Sequence, residues 1–129
     1  MTKKELTKLG APFTLEELQI TIKALKNFKA PGIDGLPAFP FKIWSEEALQ
    51  LLLDKLNSFF DSKPIPTDWK EGNIVTIHKK GDKRDMGNYR PITLLTTEYK
   101  ILSKLVTNRM NEINLSIECR ACKGIGHVP

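Results

Sequence analysis

The segment IHKKGDKRDMGNYRPITLL, from Ile77 to Leu95, decides the fold of this chain. It joins two stretches rich in β-branched residues, NIVTIH and YRPITLL, which each predict a strand, the first of them buried. The basic stretch between them is punctuated by Gly81 and Gly87, so it predicts a loop and the whole segment an antiparallel hairpin. Because Pro91 cannot donate to a β-ladder, the second strand is expected to be short or to lie at a sheet edge.

Two helices are predicted before the hairpin. The first begins in FTLEELQITIKALKNF, where Thr14 and Glu17 have the spacing of a capping box and Phe13 can pack against Leu18. The second begins at Ser45. Its apolar stripe is expected to consist of Leu49, Leu52, Leu53, Leu56 and Phe60.

The segment KAPGIDGLPAFPF between these helices is rich in proline and glycine, which predicts irregular backbone. Pro31 and Gly32 suit the central positions of a type II turn, and Asp34 can accept a hydrogen bond from the residues that follow it. A helix beginning here would hold Pro40 near its fourth position, where strain is expected.

The segment after the hairpin, TTEYKILSKLVTNRMNEI, predicts a long helix. Its buried face is expected to contain Tyr99, Leu102, Leu105, Val106, Met110 and Ile113.

Composition narrows the class of partner. The chain of 129 residues has a net charge of +5 and a pI near 9.3, which favours polyanions such as nucleic acid. The two cysteines imply no disulfide framework, and no signal peptide or membrane-spanning apolar run is found. We therefore expect an intracellular protein, in the nucleus or the cytoplasm, that does not bind membranes.

Four motifs follow one another along the chain: Pro-Gly-x-Asp-Gly at 31–35, a tryptophan before the first strand, Lys-Lys-Gly in the loop, and Asn-Tyr-Arg-Pro-Ile in the second strand. In this order they resemble the N-terminal part of the reverse transcriptase of non-LTR (LINE-type) retrotransposons. The resemblance covers roughly residues 13 to 122. It implies an α+β fold, namely a fingers-subdomain fragment of a right-hand polymerase, with helices plus a two-stranded antiparallel hairpin.

The resemblance also implies a division of the chain. Residues 1–12 would be an N-terminal tail, residues 13–115 the N-terminal extension and fingers, and residues 116–129 a diverged C-terminal tail. The partners implied are an RNA template, a DNA primer and a deoxynucleoside triphosphate (dNTP).

By the family's pattern, Arg90 and Lys79 or Lys80 would hold the phosphates of the incoming nucleotide. Lys83 and Arg84 could follow the backbone of a template strand. Lysine supplies a mobile point charge and arginine a fixed fork for phosphate oxygens, so these residue types suit that chemistry. The alternative is a solvated loop in which the cations maintain solubility and Arg90 pairs with a nearby aspartate, Asp82 or Asp85.

The segment KAPGIDG, residues 29–35, which we call the Pro-Gly loop, has two interpretations as well. Turn chemistry alone explains its residues, whereas the resemblance adds a template contact through Lys29. Trp69 and Tyr89 are expected to be packing anchors at strand ends rather than stacking platforms for bases.

Polymerisation in this family uses Mg²⁺ held by carboxylates of the palm subdomain. The chain contains no aromatic-x-Asp-Asp motif, and its aspartates are scattered. We therefore expect the Mg²⁺ ligands to lie outside this chain, which by itself would be inactive.

The C-terminal tail offers a different hypothesis. Cys119, Cys122 and His127 have the spacing of the first three ligands of a zinc knuckle, but three ligands do not close a structural site. Two rival functions therefore stay open: a non-catalytic nucleic-acid-binding protein, or a degenerate transposon relic with no independent activity.

Overall fold

The computed structural model describes residues 3–114. These residues form an α+β fold of six α-helices and one antiparallel hairpin. In chain order the elements are α1 (Lys3–Gly10), α2 (Leu15–Ala24), α3 (Ala38–Ile43), α4 (Glu46–Asn57), α5 (Thr67–Lys70), β1 (Asn73–His78), β2 (Tyr89–Leu94) and α6 (Thr97–Asn114). The fold class, the hairpin and the helices α2, α4 and α6 are as the sequence predicts, whereas α1, α3 and α5 are not predicted from it.

The starts of α2 and α4 are confirmed. The hydroxyl of Thr14 accepts a hydrogen bond from the Glu17 amide, and the Glu17 carboxylate accepts one from the Thr14 amide at 2.9 Å, so the capping box is complete. Ser45 caps α4 in the same way by accepting from the amide of Ala48. Each cap satisfies backbone donors that the first helical turn leaves without a partner.

One apolar core joins α2, α3, α4, α5 and α6. Its buried members are Phe13, Leu18, Ile22, Phe41, Leu49, Leu52, Leu53, Leu56, Trp69, Ile101 and Leu105. The predicted stripe of α4 is confirmed except at its end. A 3₁₀ turn begins at Ser58 and, because it advances fewer residues per turn, it brings Phe59 to within 5.0 Å of the Trp69 ring. Phe60 is 46% exposed instead.

The proline-rich segment is more regular than predicted, because it contains α3. Pro40 is the third residue of that helix, where the backbone has no intrahelical acceptor to lose, so the expected strain does not apply. The turn is also displaced from its predicted centre. Its hydrogen bond runs from the Gly35 amide to the Gly32 carbonyl at 3.1 Å, and Gly35 has the positive φ of 71°.

The hairpin pairs β1 with β2 in the register Asn73 to Leu94 through His78 to Tyr89. The expectation that β1 is buried is wrong. Its residues are half-buried or exposed, and Ile74 and Ile77 are 66% and 48% exposed. The hairpin therefore projects from the helical core.

The buried face of α6 also differs from the predicted one. Tyr99, Val106 and Met110 are exposed to 36%, 41% and 49%. The buried positions are Thr97, Ile101, Leu105, Arg109 and Ile113, which are spaced by four residues and lie on one face. Of the predicted residues, Leu105 and Ile113 are therefore confirmed as buried. Because Arg109 interrupts the apolar pattern of that face, the spacing of apolar residues in the sequence predicts a neighbouring face of the helix instead.

Arg109 joins α6 to the N-terminal helices, and sequence reasoning missed it. Its guanidinium donates to both Glu17 carboxylate oxygens, at 2.9 and 2.8 Å, and to the carbonyls of Lys8, Ala11 and Pro12. This pairing holds the pKa of the Glu17 carboxyl below its ordinary value. Helix α1, which the sequence did not predict, is thereby attached to α6.

Candidate nucleic-acid interface

The loop between the two strands has a defined internal structure. The amide of Lys79 donates to the Asn88 carbonyl at 2.7 Å and closes the loop at its base. The ring of His78 donates from Nε2 to the Gly81 carbonyl at 3.1 Å, and Gly81 has a φ of 88°, a conformation that favours glycine. The Asn88 side chain donates to the Asp82 carbonyl at 3.0 Å. These hydrogen bonds hold the backbone of the loop and so set the positions from which its lysine and arginine side chains extend.

Both aspartates of the loop are used for structure. Asp82 accepts from the amide of Arg84 at 2.9 Å and from its guanidinium at 3.1 and 3.3 Å. Asp85 accepts from the amide of Gly87 at 2.9 Å. The Arg84 guanidinium holds the pKa of the Asp82 carboxyl below its ordinary value. Arg84 is thus neutralised within the loop.

Arg90 stands opposite Ile77 in the register and is exposed. Neither Asp82 nor Asp85 pairs with it, because Asp82 pairs with Arg84 and Asp85 bonds Gly87. The ion-pair alternative for Arg90 therefore does not hold in this structure. Within residues 3–114 its guanidinium has no hydrogen-bond or ion-pair partner.

Lys79, Lys80 and Lys83 are exposed, and their ammonium groups also lack partners in the described part of the chain. Tyr89 fixes the loop beneath Lys83 by donating its hydroxyl to the Lys83 carbonyl at 2.9 Å, and its ring lies edge-on to His78. Together with Arg90 these lysines form a cationic surface, which we call the hairpin surface.

The Pro-Gly loop packs against the exit of β2. A Cβ atom at Gly32 would lie 2.5 Å from the Thr96 nitrogen and 2.6 Å from the Leu95 carbonyl carbon, so this approach requires glycine. Thr97 strengthens the junction by donating its hydroxyl to the Leu36 carbonyl at 2.6 Å. Lys29 lies exposed beside this junction.

The predicted role of Asp34 is confirmed, since it accepts from the amide of Leu36 at 3.1 Å. The packing role predicted for Trp69 is also confirmed. Its ring is 6% exposed and contacts Phe59 and Tyr99. Tyr89 is half-buried and packs at the strand end through its bond to Lys83.

The described residues contain no group of three or more histidine, cysteine, aspartate or glutamate side chains placed to hold a metal ion. They therefore do not fit a Mg²⁺ site. None of the described helices combines the length and apolarity needed to cross a membrane. The candidate zinc ligands Cys119, Cys122 and His127 lie outside the described residues.

Comparison with known proteins gives three informative relatives. The RNA-directed DNA polymerase from the mobile element jockey of Drosophila melanogaster is 39% identical over 98 residues, which are 75% of this chain and 11% of that protein. The 149 kDa protein of transposon TX1 from Xenopus laevis is 28% identical over 113 residues, which are 88% of this chain and 9% of that protein. The probable RNA-directed DNA polymerase from transposon BS of Drosophila melanogaster is 34% identical over 103 residues, which are 79% of this chain and 11% of that protein.

The chain belongs to the reverse transcriptase family of non-LTR retrotransposons. The resemblance inferred from the four motifs is thereby confirmed, although no protein-family model matches the chain. This reverse transcriptase segment spans about a tenth of the length of the curated relatives it matches. Its place within the polymerase, and the roles of Arg90 and the lysines, stay predictions.

Proposed function

We propose that this chain is part of the fingers of a retrotransposon reverse transcriptase and that its hairpin surface binds the phosphates of nucleic acid and of the incoming dNTP. Arg90, Lys79 and Lys80 hold the triphosphate when a dNTP is bound, and in its absence they contact the phosphates of a nucleic-acid strand. Lys83 and Lys29 contact the template backbone. Arg84 does so only after leaving Asp82, an exposed pair that is worth little in water.

One observation carries the proposal: the hairpin presents unpaired cations on a loop whose own bonds are satisfied. From Ile77 to Arg90 there are five cations and two aspartates, and both aspartates bond within the loop. Because hydrogen bonds within the loop already hold its backbone, mainly the side chains of its lysines and Arg90 lose conformational freedom when they bind an anion. Several free cations at one place suit a polyphosphate better than a single carboxylate.

The hairpin's position supports the same function. Its strands project from the core and are exposed on both faces, while Gly32 and Thr97 hold its base against the Pro-Gly loop. The cationic end can therefore reach a ligand while its root stays fixed. Phosphoryl transfer depends chiefly on positioning and charge neutralisation, which such an element provides.

Mg²⁺ belongs to this proposal only through other parts of the polymerase. When bound there, it would activate the primer hydroxyl and stabilise the leaving pyrophosphate. The described residues do not fit such a site, so we assign no catalytic step to them and propose that this chain alone does not polymerise.

Salt-dependent binding tests the proposal. The triple variant Lys79→Ala, Lys80→Ala, Arg90→Ala is compared with Lys3→Ala, Lys4→Ala, Lys63→Ala, which removes the same charge from exposed positions on α1 and before α5. Fluorescence anisotropy with labelled single-stranded RNA and with a primer–template gives the affinity between 50 and 200 mM salt. Circular dichroism verifies that both variants fold.

We expect the hairpin variant to bind at least tenfold more weakly and to lower the slope of log affinity against log salt by about 2, as losing three phosphate contacts to a single strand predicts. The control variant should change the affinity less than twofold to threefold. Equal losses in the two variants would mean that net charge alone causes the binding, and the hairpin assignment would be wrong. If the native chain does not bind RNA or the primer–template even at low salt, only the alternative of a degenerate transposon relic with no independent activity is left.

A further inference from the structure

A shallow depression of about 250 Å³ lies beside α6, away from the loop of the hairpin. Leu25, which follows α2, and Leu95, which follows β2, form its apolar side. The rest of its lining comes from α6. These residues are Tyr99, Lys100, Ser103, Lys104 and Thr107.

The α6 residues form a polar row. Lys100, Ser103, Lys104 and Thr107 are three and four residues apart, so they share one face of the helix. Lys100 and Lys104 are like charges at a spacing of four, which disfavours the helix unless an anion lies nearby. The lining contains no carboxylate. Glu98, the acidic residue closest in the sequence, pairs with Lys55 at 2.6 Å.

Two of these groups are available to a ligand. Within residues 3–114 the Lys104 ammonium and the Ser103 hydroxyl have no hydrogen-bond partner. Lys100 donates to the Ala30 carbonyl at 3.3 Å, a contact that places the row next to the Pro-Gly loop and its exposed Lys29. The cations therefore continue from the loop along α6.

Tyr99 adds an aromatic surface to the depression. Its ring lies edge-on to the buried Trp69 ring, with centroids 6.0 Å apart, and is 36% exposed. Its hydroxyl has no partner in the described part of the chain. A partly exposed ring held by a buried neighbour can stack against a base with little loss of side-chain freedom.

We propose that this depression holds one unpaired nucleotide of a single-stranded nucleic acid. Tyr99 stacks on the base, Lys104 and Lys100 contact flanking phosphates, and Ser103 hydrogen-bonds the strand. Cations spread along α6 to Lys29 match the repeated charges of a strand better than they match one small anion. The choice of ligand class rests on the proposed function, but the site is separate from the hairpin surface.

The test uses the full chain and a labelled oligouridylate RNA. Lys104→Glu places a negative charge in the depression, whereas Lys63→Glu makes the same change on an exposed segment before α5. We expect Lys104→Glu to weaken binding about tenfold and Lys63→Glu by less than twofold to threefold. Equal effects would overturn the proposal, since the depression would then contribute to binding only through the net charge of the chain.

Photocrosslinking supplies a second readout that does not depend on a variant. RNA containing 5-iodouridine should crosslink to Tyr99, because a stacked ring lies close enough to react. Mapping the crosslink to a peptide without Tyr99 would overturn the assignment. Tyr99→Phe keeps the ring and should bind within twofold of the native chain, whereas Tyr99→Ser should bind about tenfold more weakly.

The same RNA separates this proposal from the proposed function. If the hairpin variant binds normally while Lys104→Glu binds weakly, the depression survives and the hairpin assignment fails. If Lys104→Glu binds normally while the hairpin variant binds weakly, the result supports the proposed role of the hairpin surface and overturns the proposed nucleotide site in the depression.

Discussion

Arg109→Met is expected to destabilise the fold strongly. The native side chain is 6% exposed, donates to Glu17 and to three backbone carbonyls, and lies over the Phe13 ring at 4.4 Å. Methionine keeps the apolar stem but removes every one of these hydrogen bonds. The carbonyls before α2 then lose this donor, and the Glu17 carboxylate keeps only its hydrogen bonds from Thr14.

Breaking a buried ion pair by removing one partner costs about 3–5 kcal/mol. The Glu17 side chain is 32% exposed, so water can replace part of what it loses. We therefore expect the lower end, a loss of about 3 kcal/mol in the free energy of unfolding. This is a large share of the roughly 6–15 kcal/mol typical of a domain of this size.

Urea denaturation followed by tryptophan fluorescence and circular dichroism measures the loss. With a slope near 1.5 kcal/mol per molar urea, the midpoint should fall by about 2 M. Lys8→Met is the matched control, because it creates the same side chain but breaks only the exposed pair with Glu112. That variant should lose less than about 1 kcal/mol.

The pH dependence gives a second test of the pair. Arg109 lowers the folded-state pKa of Glu17, whose ordinary value is 4.5. The pair therefore stabilises the fold fully above that value, and the contribution is lost as the pH falls through the lowered pKa. This acid-dependent loss should shrink in Arg109→Met. Equal midpoints for Arg109→Met and Lys8→Met would refute the reasoning.

Two further changes test the packing around the core. Gly32→Ala should cost about 1–3 kcal/mol in urea denaturation, since its Cβ would lie 2.5 Å from a backbone nitrogen after β2, whereas Gly10→Ala, with nothing within 4 Å, should change stability by less than about 1 kcal/mol. Asn57→Ala should cost about 2 kcal/mol, because its side chain accepts a hydrogen bond from the amide of Phe13 and donates one to the carbonyl of Phe13. Its control is Gln50→Ala, which removes only the exposed hydrogen bond from Gln50 to Asp54 within α4 and should cost under about 1 kcal/mol. A cost for either control that equals its partner's would contradict the packing account.

Local signals predicted the helices that begin with a side-chain cap. Thr14 with Glu17, and Ser45 alone, supply the oxygen that the first turn needs, and each helix begins where that oxygen stands. The hairpin was equally predictable, because β-branched stretches flank a loop with glycine at its tip.

Long-range contacts could not be read from the sequence. Arg109 looks like a surface residue until Glu17 and the chain before it are placed beside α6. Gly32 looks like a turn glycine, yet the backbone after β2 is what excludes a Cβ there. The burial of β1 was overestimated because apolar composition does not tell whether another element covers a strand.

The candidate site was predictable in its residues but not in its pairing. Sequence reasoning named Arg90, Lys79 and Lys80 as possible phosphate ligands. Whether Asp82 would neutralise Arg90 or Arg84 depends on the shape of the loop, and the structure pairs it with Arg84. That pairing leaves Arg90 available.

Titration of the ¹⁵N-labelled chain with dATP, followed by nuclear magnetic resonance, tests the central claim most directly. If the hairpin surface binds triphosphate, the backbone amides of residues 79–81 and the amide and Nε of Arg90 should shift most, and raising the salt should reverse the shifts. Signals of the hairpin that stay unmoved at millimolar dATP would contradict the account.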